Sequence, residues 1–423
     1  MQYKFKKCLM LLLLAICVCF SFSACSTNNE EGTSSTEENV LSKTNEVDND
    51  TDKDETNEEP VYDDISLETG GNVYSGGHTT SIIDNEGNLF ICGSSSAGQV
   101  GDTVEDFITQ HKLVFSNVKA VCGSSSFAAI TNKNHLYTWG YNSYNQLGYG
   151  MCDDSPTPTQ IEKNIIDVSI TGSTCAYVNK KGEMYVMGYP RVSFGDKDNT
   201  RESSTPVKIM DNVIDVELST NNDYGQTFAA ITKNNELYMW GDNSHGIIIP
   251  NTEEPVDQPT KVMDNVKAVS IGDSYVLAVT TNSELYAWGY NRFGKLGIGN
   301  TETPSEKVKV MDNVLLADAG TNTSLAVNLN GELFTWGHNS YGCLGQGIDF
   351  DEDDNDVLSP TKIMSNVKTA SLDESTMIIL DKNGDVYTCG WNTRGQLGTG
   401  DTDDRNVPTL IYNIYNSTKT ENE

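Results

Sequence analysis

One stretch, "ELYAWGYNRFGKLGIGNTETP" at residues 284–304, joins a strand-like run to a glycine-rich loop, and the chain keeps rewriting it. "HLYTWGYNSYNQLGYG" begins at His135, "ELFTWGHNSYGCLGQG" at Glu332 and "DVYTCGWNTRGQLGTG" at Asp385. The glycine closing each run recurs at Gly93, Gly140, Gly188, Gly241, Gly289, Gly337 and Gly390, at spacings of 47, 48, 53, 48, 48 and 53 residues. Seven copies of one unit limit the architecture more than any single residue does. A unit of this size cannot bury both of its faces alone and must stack on its neighbours.

A second marker holds the register. The apolar residue ending the second strand of each unit lies six residues before the one opening the third, as in Ile83 and Leu89, Ile130 and Leu136, or Val279 and Leu285. Between them stand tight-turn residues such as Asn85-Glu86-Gly87 and Asn330-Gly331. The fifth copy then reads as four short strands, "VKAVSIG", "YVLAVT", "ELYAWG" and "SEKVKVM", with the glycine loop between the third and fourth. This predicts an all-β fold, a seven-bladed β-propeller of four-stranded blades over residues 63–415. The Trp is expected to plug the space between sheets, the Gly to hold a conformation a Cβ would oppose, and the Asn to bond its own loop.

The spacing and the "WGxNxxGQLGxG" wording resemble the regulator of chromosome condensation (RCC1) repeat family over about residues 65–415. The resemblance implies a seven-bladed propeller in its own right. It does not imply one function, because the family includes nucleotide-exchange factors, chromatin binders and secreted bacterial inhibitors of β-lactamases. Three departures stand out. Blades three and four lose the Gly-x-Leu-Gly turn, Cys92 and Cys389 replace Trp in blades one and seven, and no unit is long enough to hold the exchange factor's wedge insertion. The family's second-strand His survives only as His78, read here as a loop hydrogen-bonder.

Ahead of the repeats, Lys4, Lys6 and Lys7 precede a 13-residue apolar run from Cys8 to Phe20. That run is shorter than the about 20 residues a spanning helix needs, so residues 1–24 read as a signal peptide of lipoprotein type. Phe22-Ser23-Ala24-Cys25 resembles a bacterial lipoprotein processing site, with Cys25 as the lipidated residue. Residues 25–62 then form a disordered acidic tether. Ser26 to Pro60 hold 12 acids and 2 lysines, with a coil-like reach of roughly 30–35 Å. Residues 416–423 are a polar tail. The expected location is the outer face of a bacterial cytoplasmic membrane, held by lipid alone.

The formal net charge of −32 argues against a nucleic-acid binder. No zinc pair, nucleophile elbow, P-loop or dinucleotide fingerprint is present, so neither an enzyme nor a cofactor is expected. Asp349, Asp351, Asp353 and Asn355 have the alternate spacing of a calcium loop. The glycine at its sixth position is missing and Pro360 replaces its final Glu, leaving only a weak metal candidate. The six cysteines from Cys92 onward read mainly as free, buried thiols.

The glycine loops carry the better signal. Tyr141, Tyr144, Tyr290, Phe293, Tyr341 and Trp391 occupy two equivalent loop positions in blades two, five, six and seven. On a propeller they would form an arc on one face, lopsided because blades three and four break the loop. Rigid aromatics of this kind anchor interfaces, although each ring could instead pack onto the neighbouring loop. The expected function is a monomeric, non-enzymatic surface platform for an unknown protein. The alternatives are binding a cell-surface polymer such as carbohydrate, or inhibition of a cell-wall or β-lactamase-type enzyme.

Overall fold

The computed structural model describes residues 72–101, 105–150, 153–219, 225–348, 356–373 and 375–415. Cys25, the tether, the tail and Asp349, Asp351, Asp353 and Asn355 lie outside them. The described residues form seven four-stranded antiparallel sheets, each built from consecutive strands. Blade 1 takes residues 73–115, blade 2 118–163, blade 3 165–210, blade 4 213–263, blade 5 266–311, blade 6 314–364 and blade 7 367–413. The fold is a seven-bladed β-propeller.

Burial across each blade explains the sequence pattern. Second strands such as Ser126–Thr131, Thr227–Thr232 and Tyr275–Thr280 are buried at every residue, so they read as continuous apolar runs and not as alternation. Fourth strands such as Val256–Met263 lie at the rim and contain no fully buried residue. Five of them tolerate a proline, Pro158, Pro206, Pro259, Pro360 and Pro408, as edge strands can.

The core lies between blades. Trp240 packs with Val192 and Phe194 of blade 3, Trp288 with Ile247 of blade 4, and Trp336 with Leu296 of blade 5. Each indole N–H also crosses the seam: Trp139 Nε1 donates to the Gln99 carbonyl (3.0 Å), Trp240 to Phe194 (2.8 Å), Trp288 to Ile247 (2.8 Å) and Trp336 to Lys295 (2.9 Å). Cys92 and Cys389 take over this bond in blades 1 and 7, their thiols reaching the carbonyls of Gln396 (3.4 Å) and Cys343 (3.7 Å). All five described cysteines are free.

The ring closes by packing blade 7 on blade 1. Val73 and Ile82 meet Ile378, Leu380 and Val386. The Gly77 amide donates to Asp373 Oδ2 (2.7 Å) and Ser75 Oγ to the Thr376 carbonyl (3.2 Å). One expectation fails in blade 5. Its fourth strand is not Ser305–Met311 but only Val308–Met311, because Pro304 brings no N–H to the ladder position opposite Gly289.

Candidate functional site

Two residues of the repeat fix the loops on one face, a glycine present in all seven blades and an Asn present in five. The glycine ending the third strand sits at φ near +100°, from +98° at Gly140 to +106° at Gly390. A Cβ at Gly390 would lie 2.1 Å from the Ser375 carbonyl oxygen, so no other residue fits. The next amide donates to that same carbonyl, Tyr141 to Ser125 (3.0 Å), Tyr290 to Ser274 (2.9 Å) and Trp391 to Ser375 (2.8 Å). The buried Asn then folds the loop on itself. Asn291 Oδ1 accepts from the Leu296 amide (3.0 Å), while Nδ2 donates to the carbonyls of Asn300 (2.8 Å) and Glu302 (2.9 Å).

On this scaffold the rings pair across blade seams. The later loop position of one blade stacks on the earlier position of the next: Tyr144 on Tyr189 (ring centroids 5.8 Å apart), His245 on Tyr290 (4.7 Å), Phe293 on His338 (4.4 Å) and Tyr341 on Trp391 (5.7 Å). Tyr141 meets Tyr144 edge-on at 6.2 Å. His78 of blade 1 meets the edge of Trp391 at 4.8 Å, so its ring belongs to the aromatic series across the closing seam. Phe293 and Tyr341 hold φ of +64° and +55°, a backbone that bulky residues rarely adopt, and it puts their rings over the next blade. His338 is held in turn by Asp356, Nδ1 to Oδ1 2.8 Å.

The structure therefore brings Tyr290, Phe293, Tyr341 and Trp391 into one series over blades 4 to 1, with Tyr141 and Tyr144 in a second over blades 2 and 3. Both readings of these rings hold at once. They pack on neighbouring loops, yet Tyr290 remains 37% and Tyr341 46% exposed, while Trp391 is wedged half-buried. Blades 3 and 4 contribute Tyr189 and His245 in spite of their broken loop wording, and the arc is interrupted between them, where Val192 and Asp242 occupy the two positions.

Three other groupings were not visible as motifs. Lys295 lies beneath Tyr290, 1% exposed, its Nζ donating to the Asp273 carbonyl (2.6 Å). Burial lowers it to about 8, against the opposing pull of Asp273. The innermost strands line a central cavity of about 60 Å³ with Asp167, Glu217, Asp318 and Asp373. Burial lifts Asp167 to about 6, although the Val216 amide donates to it, and raises Glu217 well above the usual carboxylate range. Cys92 and His111 stand 3.5 Å apart. Burial pushes the thiol up to about 12 and the imidazole down to about 3, so the pair is neutral and offers no thiolate nucleophile. Spacings of 50, 101 and 55 residues between the channel acids, one or two repeat lengths each, are the only signal the sequence holds for them.

The family described as Regulator of chromosome condensation (RCC1) repeat matches residues 133–178, 330–373 and 383–419, and a second description of the same repeat matches 118–146 and 266–295. The chain carries RCC1 repeats. It is 26% identical to the human E3 ubiquitin-protein ligase HERC2 over 228 residues, 49% of this chain but 5% of that protein. It is 29% identical over 97 residues to the human RCC1-like G exchanging factor-like protein, 20% of this chain and 21% of that one. The chain thus spans a small part of these curated relatives. Among solved structures, Prp20p from Saccharomyces cerevisiae, described with its binding properties to Gsp1p and histones, superposes with a TM-score of 0.68 at 18% identity, covering 78% of this chain and 86% of that one. Human WBSCR16 gives 0.65 at 19% identity over 77% and 94%. These likenesses establish the RCC1-like fold.

Proposed function

We propose that the RCC1-repeat propeller docks another protein on its glycine-loop face, catalyses no reaction itself, and is held at a bacterial cell surface by lipid on Cys25. The observation that carries the docking reading is the set of rings paired across seams with Tyr290 and Tyr341 still partly exposed. Such rings are rigid before binding and lose little entropy on contact, which is what interface anchors need. Prp20p binds Gsp1p, histones and Kap60 by the words of the descriptions of its structures, and that supports a platform without naming a partner.

A photo-reactive phenylalanine analogue at position 341, on the loop face, should crosslink a protein in intact cells. The same analogue at Asn330, exposed in a hairpin turn at the other end of the blade, should not. Adducts only from position 330 would move the site to the opposite face, and adducts running as glycan-sized smears would favour the carbohydrate reading. The anchor has its own test. Cys25→Ser should shift the full chain from the detergent phase to the aqueous phase, because lipid on Cys25 supplies the hold and an acidic tether adds none. Unchanged partitioning would remove the lipoprotein reading.

A further inference from the structure

Blade 5 departs from the other six blades at its fourth strand, and a pocket opens there. In those six, the glycine ending the third strand pairs with the fourth strand, as Gly241 does with Val256 and Gly337 with Val357. Counted as in the other blades, Pro304 is the residue that would face Gly289, but blade 5 makes no pair there and its pairing starts only at Val308 opposite Ala287. Five blades have a proline directly before the matching pair, and blade 5 has Lys307 there instead. The proline has in effect moved three residues toward the loop. The chain bows away from the third strand and leaves a cavity of about 600 Å³ between the loops of blades 4 and 5, lined by His245, Ile247, Trp288, Pro304, Glu306 and Lys307 among others.

Trp288 is its floor. Trp139, Trp240 and Trp336 are 0% exposed, whereas Trp288 is 5% exposed. Its N–H is already given to the Ile247 carbonyl, so what it offers a ligand is the ring face. Over that face stands the Lys307 ammonium, 5.2 Å from the ring centroid, on an exposed residue. The two loops bounding the cavity, residues 242–255 and 290–307, carry Asp242, Glu253, Glu254, Glu302 and Glu306 against Arg292, Lys295 and Lys307, on a chain of net charge −32.

We propose that this pocket receives the cationic side chain of a basic partner segment, which takes the place over Trp288 that Lys307 holds in the free protein. An aromatic face attracts a cation, the acidic rim draws a basic segment toward it, and Lys307 can leave for solvent when displaced. The inference rests on the protein-docking reading and extends it, since His245 lines the pocket and also stacks on Tyr290 of the arc.

The test is a titration of the full chain, ¹⁵N-labelled at tryptophan, whose 5 indole signals are few enough to assign. The probe is acetylated, amidated tetra-arginine, with tetra-glutamate of the same form as its counterpart. Tetra-arginine should give a saturable shift centred on the Trp288 indole. Lys307→Ala removes the internal competitor and should tighten binding about two- to fivefold, the scale of an exposed cation–π contact. Pro304→Val with Lys307→Pro rebuilds the wording of blade 4 and should abolish the shift in a chain that keeps its other indole signals. Absence of a Trp288 shift in the wild type, a shift with tetra-glutamate instead, or weaker binding by Lys307→Ala would each overturn the proposal. Crosslinking at position 341 reports on the arc and this titration on the pocket, so the failure of one is distinguishable from the failure of the other.

Discussion

Trp336→Ala should lower the stability of the chain by about 3–5 kcal/mol, the usual range for truncating a buried aromatic. The indole is fully buried among side chains of blades 5 and 6 and donates to the Lys295 carbonyl. Its loss removes contacts on both sides of a seam and leaves a cavity that the flanking strands cannot fill, because their own ladders fix them. The Lys295 carbonyl still accepts from Ser324 Oγ at 2.8 Å, so the deficit is mainly packing. Trp391→Ala removes a ring of the same size from a half-buried loop position between His78 and Tyr341 and should cost much less. Denaturant midpoints of the two variants check this, and equal losses would mean that the seam does not hold the ring of blades together.

That contrast follows from what the repeat spells out locally. The glycine spacing gives the blades, and the Asn two residues later does act on its own loop, since both features are set within one unit. The relation between units is harder to read. The ring pairs join positions nearly fifty residues apart, and their match depends on how far each blade turns from the last. Tyr189 and His245 stand at the right offsets but inside loops whose wording is broken, so the motif does not single them out. Asp167, Glu217, Asp318 and Asp373 share no local pattern at all, because only ring closure gathers the innermost strands around one cavity. In blade 5 the alternation of Val308, Lys309 and Val310 suggested a strand of full length, while the displaced Pro304 was the residue that shortened it.

The partner-binding claim predicts the other large effect. Tyr290 and Tyr341 each lean one face on a neighbouring ring and remain partly open to solvent. Alanine at an interface-centre anchor commonly costs about 2 kcal/mol or more, roughly a thirtyfold loss of affinity per ring. Because both side chains are exposed, neither change should move the melting temperature by more than a degree or two. The direct measurement is the dissociation constant of the crosslinked partner for the wild-type chain and for Tyr290→Ala with Tyr341→Ala. A loss of two to three orders of magnitude at unchanged melting temperature is the result the account predicts, and full affinity in the double variant would contradict it.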